Sequence, residues 1–98
     1  MDVFAALGDP TRREVLRRVA GGPTTATELA AMMPISRQAV SKHLTALDEA
    51  GLVERTVSGR EVHYSLKAGP LSDVVGWVNE VGDAWDQRLA LLKSKLDR

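Results

Sequence analysis

The chain has 98 residues, 44% of them hydrophobic and 4% aromatic, with no cysteine and with 13 basic side chains against 13 acidic ones. That length suits one domain with a mainly aliphatic core, and the missing cysteine excludes disulfides, thiolate metal sites and cysteine nucleophiles. Zero net charge argues against a non-specific nucleic-acid coat, but not against a sequence-specific binder, because a local patch is what meets the phosphates.

No stretch approaches the roughly 20 apolar residues that span a bilayer. The opening MDVFAALGDP has neither a basic n-region nor a cleavage site of the signal-peptide kind. No membrane association is expected, and a cytoplasmic location is.

Residues 2–7 read as a short helix with Val3, Phe4 and Leu7 on one side. Asp9-Pro10 restarts the helix, Asp as N-cap and Pro at the first position, where its missing N–H does no harm. Val15, Leu16 and Val19 form its inner stripe. Arg12, Arg13, Arg17 and Arg18 are placed at the rim or paired with Glu14 and other acids, and Gly21-Gly22-Pro23 ends the helix.

Thr25-Ala26-Thr27-Glu28 matches a capping box, which predicts a third helix to about Met33 with Leu29, Met32 and Met33 inward. Pro34-Ile35 is a connection only a few residues long. The next helix is bracketed by Ser36 as N-cap and Gly51 as the left-handed residue after its end. At 100° per residue Val40, Leu44 and Leu47 share a narrow arc, with His43 beside them. Gln38, Ser41, Lys42 and Thr45 fall opposite, and Arg37 stands at the border near the helix start.

From Ile35 to Leu47 there is no acid, although Asp and Glu normally favour a first helical turn. Such a face suits a major groove. Arg bridges two guanine acceptors, Gln pairs with adenine, and Ser and Lys hold phosphates. The competing reading is a solvated face that happens to lack acids. Two helices joined by so short a turn, the second with a polar basic face, form a helix-turn-helix.

After Gly51 the period changes to two. Val62, Tyr64 and Leu66 alternate with Glu61, His63 and Ser65, and Gly59 marks a hairpin tip. Arg60 sits at that tip and Arg55 on the entering strand, so the hairpin reads as a wing able to reach the DNA backbone or minor groove. The bland alternative is an edge hairpin with a solubilising Arg.

Ala68-Gly69-Pro70 separates this hairpin from a last helix, Leu71 to about Leu96, roughly 39 Å long. Leu71, Val74, Val75, Val78, Val81, Trp85, Leu89, Leu92 and Leu96 lie near one axis of it, and Trp77, Ala84 and Leu91 form a neighbouring seam. So broad an apolar surface exceeds what a small domain covers, and the expected partner is the same helix of a second chain. Gly76 and Gly82 weaken the helix and are candidates for close helix approach. Trp77 and Trp85 either fill the interface or line a pocket.

Asp9-Pro10-Thr11-Arg12-Arg13, Glu28-Leu29-Ala30, Ser36-Arg37-Gln38-Ala39-Val40-Ser41-Lys42-His43-Leu44, Ala50-Gly51-Leu52-Val53 and Gly59-Arg60…Tyr64 together resemble the bacterial arsenical-resistance-repressor (ArsR) family, from Phe4 to Leu66. The resemblance implies a mostly α fold with a small β-hairpin, a winged helix-turn-helix of order α-α-α-α-β-β-α with a long C-terminal dimerisation helix. It implies one winged-helix DNA-binding domain over 1–98, with dimerisation helices at 1–8 and 70–96, the helix-turn-helix at 25–51 and the wing at 52–67.

Family members are homodimeric repressors on palindromic operators, often released by a metal ion or small effector. Ser36, Arg37, Gln38, Ser41, Lys42 and His43 match the family's recognition helix, and Arg60 its wing tip. Thr45 and Arg55 join the expected double-stranded DNA contacts. Val3, Phe4, Leu71, Val74, Val78, Val81, Trp85, Leu89 and Leu92 are the expected dimer contacts.

Metal-sensing members use paired cysteines or His and carboxylate ligands on the last helix. Here Asp73, Glu80, Asp83 and Asp86 stand without Cys, and with no His beyond His63. That set makes a poor transition-metal site, so a non-metal-sensing member without a cofactor is expected. Whether any effector acts stays open. His43 is expected to be packed or phosphate-bonded and His63 solvated, and no triad or phosphate loop appears. An enzyme is therefore not expected. The rival reading is a winged-helix protein-interaction or RNA-binding module.

Overall fold

The structure, a computed structural model, describes residues 2–96. The side chain of Leu96, expected to end the apolar stripe of the last helix, lies outside the described residues. The elements are α1 (Val3–Leu7), α2 (Pro10–Ala20), α3 (Ala26–Met32), α4 (Arg37–Glu49), β1 (Val53–Ser58), β2 (Glu61–Leu66) and α5 (Gly69–Leu96). The order α-α-α-α-β-β-α is the expected one.

Each of the first four helices opens on a side-chain oxygen that accepts from an otherwise orphaned amide. Asp2 takes the Ala5 N–H at 2.7 Å, Asp9 that of Arg12 at 3.0 Å, Thr25 that of Glu28 at 3.1 Å, and Ser36 that of Ala39 at 3.0 Å. The return arm of the capping box differs from expectation. The Glu28 carboxylate accepts from the Thr24 hydroxyl, at 3.0 Å.

Val15, Leu16, Val19, Leu29, Val40, Leu44 and Leu47 interlock in the core with Ala6, Leu52 and Val53. Met32 corrects the expected inward set, because its side chain is 53% exposed while Met33 is buried. The helix stops at Met32, and the extended backbone of Met33 (φ −124°, ψ 146°) swings that side chain into the core instead. The arginines of α2 also divide. Arg17 and Arg18 pair with Glu14, while Arg12 and Arg13 reach the carbonyls of Ala6 and Leu7 at 3.5 and 2.6 Å.

Past Ala50, Gly51 takes φ +75°, its amide bonding the Asp48 carbonyl and the next amide, Leu52, that of Leu47, both at 2.9 Å. This αL stop reverses the chain into β1. β1 and β2 pair antiparallel from Val53↔Leu66 to Ser58↔Glu61, closed by Gly59-Arg60 with Gly59 at φ +61°. A two-residue turn needing positive φ only at its first position is of the II′ type.

The expected burial alternation is blurred. Val62, Tyr64 and Leu66 are half-buried, but so are His63 and Ser65. His63 is therefore not simply solvated, and its Nε2 lies 3.0 Å from the Glu61 carboxylate. Thr24 pairs with Tyr64 through two backbone hydrogen bonds, of 3.0 and 2.8 Å, and so ties β2 to the entrance of α3.

α5 begins at Gly69, not Leu71, because Pro70 is harmless in a first turn and so extends the helix backward. It packs on the body mainly through α1 and projects from it, giving a molecule 69 Å long and 26 by 22 Å across. Leu71 and Val74 are half-buried, but Val75, Trp77, Val78, Val81, Trp85, Leu89, Leu91 and Leu92 are each 45–59% exposed. Phe4, itself 51% exposed, meets Trp77 edge to face with ring centroids 5.5 Å apart. Among the described residues no helix is long and apolar enough to cross a membrane.

A Cβ at Gly51 would meet only Pro70 Cγ, at 3.6 Å, so its substitution isolates the backbone conformation. Gly51→Ala is expected to lower stability by about 1–2 kcal/mol in urea unfolding, through left-handed strain alone. An unchanged midpoint would mean that the αL stop does not hold α4 and β1 in register.

Candidate nucleic-acid interface

With Val40, Leu44 and Leu47 fully buried, α4 turns its other face outward. Arg37, Gln38, Lys42 and Thr45 are exposed, and Ser41 and His43 are half-covered. The Ser36 hydroxyl accepts from Ala39 N–H, which leaves its proton for an outside acceptor. Thr45 is committed differently. Its hydroxyl donates to the Ser41 carbonyl at 3.0 Å, so it presents an oxygen and a methyl group, not a donor. His43 Nδ1 is buried with no hydrogen-bond partner, so Nε2 is the ring nitrogen left to face outward.

A cleft of about 380 Å³ opens where α3, α4 and the hairpin converge. Arg37 and Ser41 enter it from α4, Arg60 from the wing, and Thr25 and Thr27 from the start of α3, with Val62 and Tyr64 behind. The structure thus brings the helix and the wing tip to one place. Glu28 and Glu61 also line it. Each has its own partner, Thr24 for Glu28 and His63 for Glu61, so they temper the basic field without sealing the cleft.

A second, shallower hollow of about 490 Å³ runs along α4 past Gln38, Ser41, Lys42, Thr45 and Glu49, with Arg12 from α2 at its edge. Arg55 lies outside both hollows, exposed on β1. It pairs across the sheet with Tyr64 and therefore shares the face of Tyr64 and Val62.

Sequence alone does not mark Arg12, Thr25, Thr27 or Tyr64 as interface residues. Capping and strand alternation explain the last three, and nothing along the chain shows α2 meeting the edge of α4. Among the described residues no three His, Cys, Asp or Glu side chains group as metal ligands.

Asp9 sits at the root of this surface. Its carboxyl is held below the ordinary 3.8 chiefly by the Arg12 amide, opposed by partial desolvation and helped by the Thr11 amide and the charges of His43 and Arg12.

Residues 7–56 match a family model described as a helix-turn-helix domain. The chain is 36% identical over 77 residues to the transcriptional repressor SdpR of Bacillus subtilis, covering 79% of this chain and 86% of that protein. The HTH-type transcriptional regulator CmtR of Mycobacterium tuberculosis, 38% identical over 76 residues and 78% of this chain, is longer, and the match spans 64% of its length. Among solved structures, an ArsR-like transcriptional regulator from Rhodococcus sp. RHA1 superposes with a TM-score of 0.77 at 42% identity, over 94% of this chain and 87% of that one. The homodimeric winged helix-turn-helix DNA-binding domain of Mb0332 from Mycobacterium bovis, a possible ArsR-family regulator, superposes with a TM-score of 0.67 at 26% identity, over 83% and 75% of the two chains.

A depressed folded-state pKa means that Asp9 binds fewer protons folded than unfolded between the two values. Its contribution is complete above 3.8 and is lost as pH falls through the lower folded value. Carboxyl-detected NMR titration is expected to place the Asp9 midpoint below 3.8. Asp9→Ala is expected to lose stability relative to wild type at pH 7, and most of that difference disappears at pH 2. A difference that persists undiminished at pH 2 would show that the ionised cap is not its source.

Proposed function

The chain belongs to the ArsR family of winged-helix transcriptional regulators, and from that premise we propose that it is a homodimeric repressor of a palindromic operator. It acts in the cytoplasm without a classical metal-sensing site. The observation that carries this reading is the convergence of Arg37 and Ser41 from α4 with Arg60 from the wing on one cleft.

In the proposed complex two copies of α4 enter successive major grooves, about 34–36 Å apart on B-DNA. Arg37 and Gln38 read base edges, where two donors on a rigid fork or an amide match the acceptor pattern of guanine or adenine. Ser36, Ser41, Lys42 and His43 hold phosphates, with Thr45 accepting or packing beside them, and Arg60 and Arg55 grip the backbone from the wing. Occupying the promoter blocks polymerase.

The dimer reading rests on α5. Leaving Val78, Val81, Trp85, Leu89 and Leu92 half exposed in water forfeits the stabilisation their burial brings, up to about 1.5–3 kcal/mol for each fully covered side chain. A second α5, with Val3, Phe4, Leu71 and Val74 at the edge, covers that stripe symmetrically. The homodimeric Mb0332 domain, which shares the fold, supports this assignment. The metal-free reading rests on donor chemistry. No thiolate exists in the chain, and Asp73, Glu80, Asp83 and Asp86 of α5 have no imidazole among them.

Fluorescence anisotropy against the protein's own upstream DNA, with and without added metals, tests the function. Gln38→Ala is expected to cost about 1–3 kcal/mol on the preferred duplex and to relax preference at one base pair. Lys42→Ala weakens all sequences alike and reduces the salt slope by about one. Undiminished operator preference in Gln38→Ala would remove the base-reading role.

For assembly, Leu89→Asp is expected to turn a sedimenting dimer into a monomer at micromolar concentration. Wild-type protein that already sediments as a monomer there would remove the dimer.

A further inference from the structure

Where α5 leaves the body, four elements leave a gap. Leu7 ends α1, Leu66 ends β2 and Leu71 lies in the first turn of α5, while α2 presents Leu16 and Ala20 to the same hollow of about 250 Å³. Arg13 and Arg17 stand on its rim, one turn apart on α2, and none of its lining residues is acidic. This hollow is separate from the DNA-facing cleft and shares no residue with it.

We propose that this hollow is an effector site for a small amphiphilic monocarboxylate, its apolar body against Leu7, Leu16, Leu66 and Leu71 and its carboxylate at Arg13.

The size excludes a large ligand, since drug-sized pockets run from about 300 to 1,000 Å³. The charge selects the head group. Arg13 is fixed over the end of α1 by one hydrogen bond, Nη1 to the Leu7 carbonyl at 2.6 Å, which leaves the other donors of its fork unspent. Arg17 is already paired with Glu14, which also holds Arg18. Arg13 is therefore the rim cation with no carboxylate partner among the described residues, and its fork is the place for one carboxylate. A guanidinium fork takes a carboxylate in two parallel hydrogen bonds.

The position gives the site its consequence. Leu66 belongs to the wing and Leu71 to the helix proposed to hold the second subunit. The segment between them is held to the core by the Lys67 amide on the Leu52 carbonyl, at 2.8 Å. An occupant lodged here bears on α1, α2, the wing and α5 together. It changes the angle at which α5 meets the DNA-binding head and hence the spacing of two recognition helices. That regulatory half rests on the DNA-binding reading above, whereas the binding half does not.

Isothermal titration of the full chain with octanoate is expected to be saturable, and 1-octanol, of equal chain length, binds at least about tenfold more weakly. Arg13→Gln and Arg17→Gln each weaken octanoate and leave octanol unchanged, the first more than the second. Ala20→Phe, a filling substitution at an exposed rim position, abolishes both. Octanoate shifts the duplex affinity of the wild type and not of Ala20→Phe.

Absence of saturable binding, equal binding of octanol, or undiminished octanoate binding by Ala20→Phe overturns the site. So does a change in sedimentation caused by Ala20→Phe, which would show that a second copy covers the hollow. Saturable binding that leaves duplex affinity untouched overturns the regulatory role. If the wild type binds no duplex, the function proposed above fails, and the octanoate titration still judges the hollow by itself.

Discussion

The burial of one edge of α4 orients everything that the protein presents to a partner. Val40, Leu44 and Leu47 are fully removed from solvent among Val15, Val19 and Leu29. Because side chains three and four apart share a helix face, sinking these three forces Gln38, Ser41, Lys42 and Thr45 outward. A rotation of one residue step would bury Ser41, Thr45 and Asp48 in place of these three, and an unpartnered buried charge such as Asp48 costs far more than extra apolar burial returns. The polar face is thus held by the core behind it and needs little support of its own.

The hairpin is fixed by a different device. A two-stranded hairpin is marginal alone, and this one has most of β1 in solvent, with Val57 67% exposed. It is held at one end by Val53 and Leu52 in the core and midway by the Thr24–Tyr64 bridge. Thr24 is buried, and its hydroxyl also engages Glu28. One residue before α3 therefore sets the distance between the wing and the helix-turn-helix, and with it the width of the cleft between Arg37 and Arg60.

The elements are legible in sequence wherever local chemistry decides them. Three of the four side-chain caps (Asp9, Thr25 and Ser36), Gly51, Gly59 and the buried stripe of α4 all act within a few residues, and each stands where its spacing places it, whereas Asp2 caps the first helix from outside it. What escapes depends on approach between distant segments or on a single residue's backbone. Arg12 reaches the edge of α4 only because α2 crosses it. Thr25 and Thr27 face Arg60 only because Thr24 pins the hairpin there. Met33 is buried and Met32 exposed because one extended residue ends the helix early. Pro70 looks like a separator in sequence, although the first turn is where a helix tolerates proline. The DNA-contact and dimer assignments of individual side chains stand as proposals, since they concern partners and not the folded chain.

Zero net charge and the apolar stripe of α5 belong to one design in the proposed dimer. Non-specific affinity for DNA grows with the number of phosphates neutralised. A single head offers few uncompensated cations, because Glu28, Glu49 and Glu61 line the same hollows as Arg37, Lys42 and Arg60. One head alone therefore holds random duplex weakly. Joining two heads through α5 makes the second contact intramolecular, which multiplies affinity only where both half-sites lie at the right spacing. The stripe thus supplies, through geometry, the affinity that the acids remove from each head. The result favours a matched operator over the large excess of other sequence, which is the ratio a repressor needs.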